Sequence, residues 1–164
     1  MLHQSCCFTG HRSLSPDCRE RLRRTLLGLL PGLIGQDGIR QFYCGGARGF
    51  DTLCAECVLQ LKPLYPEIAL HLLLPCPDSV RGWSAEERGR FRRVLEQADD
   101  VQYISDHYYA GCMHLRNRAL VDSAAVCVCY LQHSQGGTGY TVQYALQRGR
   151  RVVEVTPEGW RNTR

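Results

Sequence analysis

Short apolar runs alternate with segments of helical spacing along the whole chain, and no other feature constrains its fold as strongly. The runs lie at residues 6–8, 39–44, 68–74, 101–104, 125–130 and 151–155. Runs of this length, bounded by turn residues, read as strands. Five helix signals separate them. Ser15, Pro16 and Asp17 supply an N-cap, a proline in the first turn and an acid behind it; Leu22, Leu26, Leu29, Leu30 and Leu33 follow at helical spacing, and Gly35 closes the segment. Asp51 is placed to cap a second helix whose inner face carries Cys54, Cys57, Val58 and Leu61, stopped by Pro63 and Pro66. Ser84 and Glu87 form a capping box ahead of Phe91, Val94, Leu95 and Ala98. Residues 112–121 and 138–147 predict the last two helices. Such alternation predicts an α/β fold with one open, mainly parallel sheet and helices on both faces.

The 164 residues fit a single domain over residues 1–164, long enough for a real core. No linker, repeat or low-complexity segment interrupts it. A hydrophobic fraction of 44% and a charged fraction of 22% are ordinary for a soluble protein. No apolar run approaches the ~20 residues of a membrane span, so no membrane partner is expected. The stretch MLHQSCCFTGHR lacks a secretory pattern, which makes a cytoplasmic location the expectation.

Ten cysteines are expected to be reduced. Cys7, Cys44, Cys127 and Cys129 lie in apolar runs, where a thiol acts as a small hydrophobe. Cys54 and Cys57 form a lone C-x-x-C with no second pair to complete a zinc site, and Cys127 and Cys129 share one strand face. Neither a metal nor a cofactor is expected. The net charge is +4, and all but one of the 20 basic residues are arginine, the side chain whose planar fork suits phosphate. The clusters Arg19, Arg21, Arg23, Arg24 and Arg88, Arg90, Arg92, Arg93 lie among acids in predicted helices and read as solvated faces. Nucleic acid is therefore a partner that the charge allows but does not favour.

Two glycine-rich stretches leave predicted strands and enter predicted helices: YCGGARGFD at residues 43–51 and QGGTGYT at 135–141. In open α/β sheets ligands bind beyond the carboxyl ends of the strands, where helix N-termini favour anions. The candidate phosphate site therefore comprises Thr9, Gly10, His11 and Arg12 after the first strand, Gly45, Gly46, Arg48, Gly49 and Asp51 after the second, and Gly136, Gly137 and Thr138 after the fifth. The bare loops would let phosphate approach the main chain, and Arg48 would neutralise it. Trp83, Tyr108 and Tyr140 are candidates to stack on a base.

The blocks CCFTGHR, GGARGFD, GCMHLRNRALVD and GGTGYTVQYA together resemble the YpsA-like branch of the SLOG superfamily, a Rossmann-like group shared with DprA DNA-processing proteins and LOG phosphoribohydrolases. The resemblance runs over nearly the whole chain and implies a pocket for a nucleotide or nucleotide-derived ligand, a nucleoside phosphate or an ADP-ribose-like compound. Met113 to Asn117 is similar to the M-H-x-R-K segment of LOG enzymes, which puts Arg116 at the catalytic arginine and Asn117 at the lysine; both join the ligand set. Residues 136–143 are similar to G-G-x-G-T-x-x-E, with Gln143 in place of the catalytic glutamate. A neutral amide neither stabilises a ribosyl cation nor activates water as a carboxylate does. Three readings follow: a nucleotide-binding module or sensor, a LOG-type N-glycosidic hydrolase in which Asp51 or Asp122 supplies the charge beside Arg116, and a DprA-like DNA binder. A homo-oligomer is left open by all three.

Overall fold

The computed structural model describes residues 2–132 and 136–163. Its elements are β1 (Ser5–Gly10), α1 (Pro16–Gly35), β2 (Gln41–Cys44), α2 (Phe50–Leu61), β3 (Ala69–Leu74), α3 (Ala85–Gln97), β4 (Asp100–Tyr103), α4 (Cys112–Asp122), β5 (Val126–Tyr130), α5 (Gly136–Gln147), β6 (Arg151–Thr156) and β7 (Gly159–Thr163). The seven strands form one sheet in the order β4-β3-β2-β1-β5-β6-β7. All neighbours are parallel except β6 and β7, which are antiparallel. The fold is a Rossmann-like α/β sheet. Among the described residues, no helix is long and apolar enough to cross a membrane.

Strand alternation divides the core in two. Cys6 and Phe8 of β1, Val126, Val128 and Tyr130 of β5, and Phe42 of β2 face α1, α2 and α3. Cys7, Cys127 and Cys129 face the opposite side with residues of α4 and α5. This is the period-2 rule for strands, and it explains why apolar runs carry no polar alternation where helices cover both faces. All ten cysteines are free thiols. Burial pushes Cys57 up to about 12 and Cys54 well above its usual value. A redox motif needs the reverse, an accessible thiol of lowered pKa, so Cys54 and Cys57 act as core residues.

Helix caps follow the sequence signals, with one exception. Ser15 Oγ accepts the Cys18 N–H at 3.1 Å, and Ser84 and Glu87 make both bonds of the capping box. Asp51 is not the cap of α2. Gly49 holds that position, and Asp51 lies within the first turn. The unpredicted β7 is a hairpin return after β6, joined across Pro157 and Glu158 with Thr156 opposite Gly159. A proline followed two residues later by glycine is turn chemistry, and that was its signal in the sequence.

Two of the arginines expected on solvated faces are instead tied to one carboxylate. Glu56 of α2 accepts from Arg23 of α1 at 3.1 Å and from Arg90 Nε of α3 at 2.9 Å, so three helices meet at one half-buried charge. Burial alone would raise the Glu56 pKa, but the two guanidiniums override it and hold the carboxyl below its ordinary value. A lowered folded-state pKa contributes stability at neutral pH that is lost as pH falls through that value. Glu56→Ala should therefore lower the unfolding free energy by about 2 kcal/mol at pH 7, and the difference from the parent in urea titrations should shrink below about pH 4.

Candidate functional site

The chain runs from β1 outward through β2, β3 and β4, then crosses back to place β5 on the other side of β1. Helices α1 and α5, which follow β1 and β5, pack on opposite faces. The loops leaving these neighbouring strands must therefore diverge, and a crevice opens between them, as at any strand-order reversal. A cavity of about 590 Å³ occupies this position. It is lined by Thr9 to Ser13 after β1, by Ala47, Arg48 and Asp51 after β2, by Arg116 and Asn117 of α4, by Gln132, and by Gly136, Gly137 and Thr138 at the start of α5.

The loops are stitched to one another. The Phe50 N–H at the start of α2 donates to the His11 carbonyl at 3.1 Å, and the Gln132 N–H donates to His11 Nε2 at 2.6 Å. Because Nε2 accepts, it carries no proton in this arrangement. His11 thus joins the first loop to the segment after β5, a positioning role. Arg116 is 3% exposed, although charged. Its Nη1 donates to the Gly45 carbonyl and its Nε to Asn117 Oδ1 at 2.8 Å. Burial lowers the Arg116 pKa while the Asp51 charge opposes that shift.

Asp51 is buried at the base of the cavity, where its Oδ2 accepts the Ala47 N–H at 3.3 Å. Desolvation raises its pKa to about 6, against the lowering influence of Arg116, the Ala47 N–H and Arg12. Arg12 is exposed, and Arg48 is half-buried with Nη1 3.6 Å from Glu87. The lining therefore gathers the guanidiniums of Arg12, Arg48 and Arg116 with the Asp51 carboxyl, whose pKa burial raises to about 6. That arrangement can hold an anion.

Several expectations need correction. Gly45, Gly46 and Gly49 are not among the residues lining this cavity, although Gly46 and Gly49 line smaller spaces that share Arg12 and Arg48 with it; the room that their missing side chains leave is filled by the protein. A Cβ on Gly45 would lie 2.9 Å from Arg116 Cδ, one on Gly46 2.0 Å from Leu74 Cδ2, and one on Gly49 2.3 Å from the Arg12 carbonyl oxygen. Gly46 and Gly49 also hold φ near +71° and +78°, a region costly for other residues. At Gly136 and Gly137, by contrast, no described atom beyond the chain neighbours and the helix's own backbone lies within 4 Å of where a Cβ would be. Asp122 ends α4 and is engaged elsewhere, 3.4 Å from Arg148 Nε and accepting from the Tyr144 hydroxyl. Tyr140 packs on His114 and accepts from Arg118, whereas Trp83 and Tyr108 line a neighbouring cavity. Gln143 is exposed on α5. Gln135 of the second glycine stretch lies outside the described residues. Ser13, Ala47 and Gln132 were missed, although their places just beyond strand ends were the available signal.

A doubly wound sheet with a polar cavity at its strand-order reversal defines a Rossmann-like α/β protein. The chain belongs to the YspA SLOG family, whose model matches residues 18–154. It is similar to a UPF0398 protein of Halalkalibacterium halodurans, 31% identical over 116 residues that span 69% of this chain and 61% of the relative. It is also similar to the uncharacterized SPbeta prophage-derived protein YoqJ of Bacillus subtilis, 26% identical over 137 residues, 76% of this chain and 80% of that one. Among solved structures, DNA processing protein A from Helicobacter pylori, described with a single-stranded DNA binding mode, superposes with a TM-score of 0.65 at 15% identity. It covers 93% of this chain and 65% of its own. That likeness concerns the fold.

Gly46→Val should destabilise the protein by about 3 kcal/mol or more, because a branched side chain there meets Leu74 and requires a disfavoured backbone. Thermal and urea unfolding would register the loss in the absence of any ligand. Asp51 makes a second prediction, of opposite sign to that for Glu56. A carboxyl raised from 3.8 to about 6 binds its proton more tightly when folded, so stability falls as pH rises between those values, by up to about 3 kcal/mol. In Asp51→Asn that fall between pH 4 and 6 should be absent.

Proposed function

We propose that this protein binds a nucleotide or nucleotide-derived ligand, with a phosphate group seated in the cavity between the loops after β1, β2 and β5. One observation carries the reading: Arg12, Arg48 and Arg116 converge on the cavity that also receives the open N-terminal turn of α5. Guanidiniums offer charge-assisted hydrogen bonds to phosphate oxygens, and unpaired backbone N–H groups at a helix start add to them. The absent side chains at Gly136 and Gly137 leave the main chain approachable there. Arg116, fixed by Gly45 and Asn117, presents its charge in one place; Arg12 and Arg48 are free enough to close on a ligand.

A second reading, N-glycosidic hydrolysis, has Asp51 in its favour, since a carboxyl in the cavity with a pKa of about 6 suits acid–base work near neutrality. Release of free base from a nucleoside 5'-monophosphate, lost in Asp51→Asn, would promote that reading over simple binding.

Calorimetry with pyrophosphate tests the binding reading. Arg12→Ala and Arg48→Ala should each weaken affinity by roughly ten- to thirtyfold with little change in unfolding free energy. Arg116→Ala should lose both affinity and stability, because its removal leaves the Gly45 carbonyl without its donor. Unchanged pyrophosphate affinity in both the Arg12 and the Arg48 variants would overturn the assignment of this cavity.

A further inference from the structure

A second cavity, of about 380 Å³, adjoins the first and shares Arg12 and Arg48 with it. Its other walls differ in chemistry. Trp83, Tyr108 and Met113 give aromatic and apolar surface, and Ser79 adds a hydroxyl beside Asp78 and Arg81, which pair at 3.9 Å. A narrower space of about 30 Å³ shares Arg12, Arg48 and Arg116 with the first cavity and Ser79, Trp83 and Met113 with the second. The two spaces are therefore one groove with cations at its waist. Trp83 is held rather than loose: its ring meets Phe91 of α3 edge-on at 5.3 Å between centroids, and Arg88 Nη1 donates to its carbonyl at 2.9 Å.

We propose that this second cavity is the base subsite, and that the ligand is a purine nucleoside diphosphate whose phosphates lie at Arg12 and Arg48 while the purine stacks on Trp83 with Tyr108 beside it. The inference rests on the phosphate reading of the first cavity. Three steps carry it. A flat π-face is stabilised on an aromatic ring whatever its substituents. A bicyclic base covers more of an indole than a monocyclic one does. The arginines shared by the two cavities lie where the phosphates of a nucleotide spanning the groove must lie. Ser79, and Asp78 with its partner Arg81, are then the polar groups of this cavity that can meet the edge of the base.

Pyrophosphate, ADP, GDP and UDP form the test series, titrated into the full chain in a Trp160→Phe background so that Trp83 is the remaining tryptophan. Trp160 is on β7, against Gly28 of α1, away from both cavities. ADP or GDP should bind about tenfold or more tightly than pyrophosphate and should quench Trp83 fluorescence, with UDP weaker than either. Trp83→Leu should abolish the gain of purine nucleotide over pyrophosphate, read as the ratio of the two affinities measured in that same variant. Tyr108→Ala, at a position 60% exposed and so of small consequence for folding, should reduce the same gain severalfold. Pyrophosphate binding as tightly as ADP, with no change in fluorescence, would overturn the base subsite and leave the anion site standing. No binding of any member, pyrophosphate included, would overturn both. A single-stranded oligonucleotide that binds more tightly than ADP and quenches Trp83 would overturn the small-ligand assignment in favour of nucleic acid.

Discussion

A buried guanidinium organises the cavity end of the sheet. Withdrawing the charge of Arg116 from water is tolerable only if its donors find acceptors, and the acceptors present are the Gly45 carbonyl and the Asn117 side chain, with Met113 sulfur 3.8 Å from Nη2. Each partner then becomes constrained in turn. Position 45 has no room for a side chain, because the arginine stem occupies it. The loop after β2 is held to α4, and through Phe50 and His11 the same loop is held to β1. Asp51 feels the arginine as well, yet burial outweighs that attraction and its pKa stays high. The buried pair is therefore one of fixed cation and titratable acid, not of two permanent charges.

Much of the fold was legible because its signals are local. The serine before Pro16, the Ser84–Glu87 capping box and the apolar runs each act within a few residues, and the element order follows from them. The cavity was legible for a topological reason: loops after parallel strands share one edge of a sheet. What could not be read was how loop atoms meet across distance in sequence. Nothing near Gly46 in the sequence announces that Leu74, 28 positions later, fills the space beside it. Nor does the spacing of Asp51 show that Gly49 caps α2 while the aspartate turns back to Ala47. Asp122 stood out as a carboxylate near Arg116 in sequence, but α4 carries the two to different surroundings.

The two glycine stretches, alike as strings, do different work. After β2 the glycines admit parts of the same protein: the stem of Arg116, the side chain of Leu74 and the carbonyl of Arg12. They make the wall thin and rigid. At the start of α5 the open space before Gly136 and Gly137 faces the cavity instead. Of these two stretches, it is there that a missing side chain leaves room for something from outside. A glycine-rich motif thus separates into packing and approach only when the nearest atom to each absent Cβ is known.

The LOG-like comparison places the question of chemistry at Gln143, where an amide stands for the catalytic glutamate. The geometry moves that question. Gln143 is solvent-exposed on α5, whereas Asp51 is buried against the cavity with Arg12 and Arg116 near enough to influence its charge. The loss of one motif carboxylate therefore does not empty the cavity of acids. An anion entering beside Asp51 is repelled by its charged form, so phosphate and the Asp51 proton should bind cooperatively. Each then strengthens the other by the same factor, as linkage requires. On the phosphate-binding reading, the carboxyl that acts on what this cavity holds is accordingly the one that the first turn of α2 supplies.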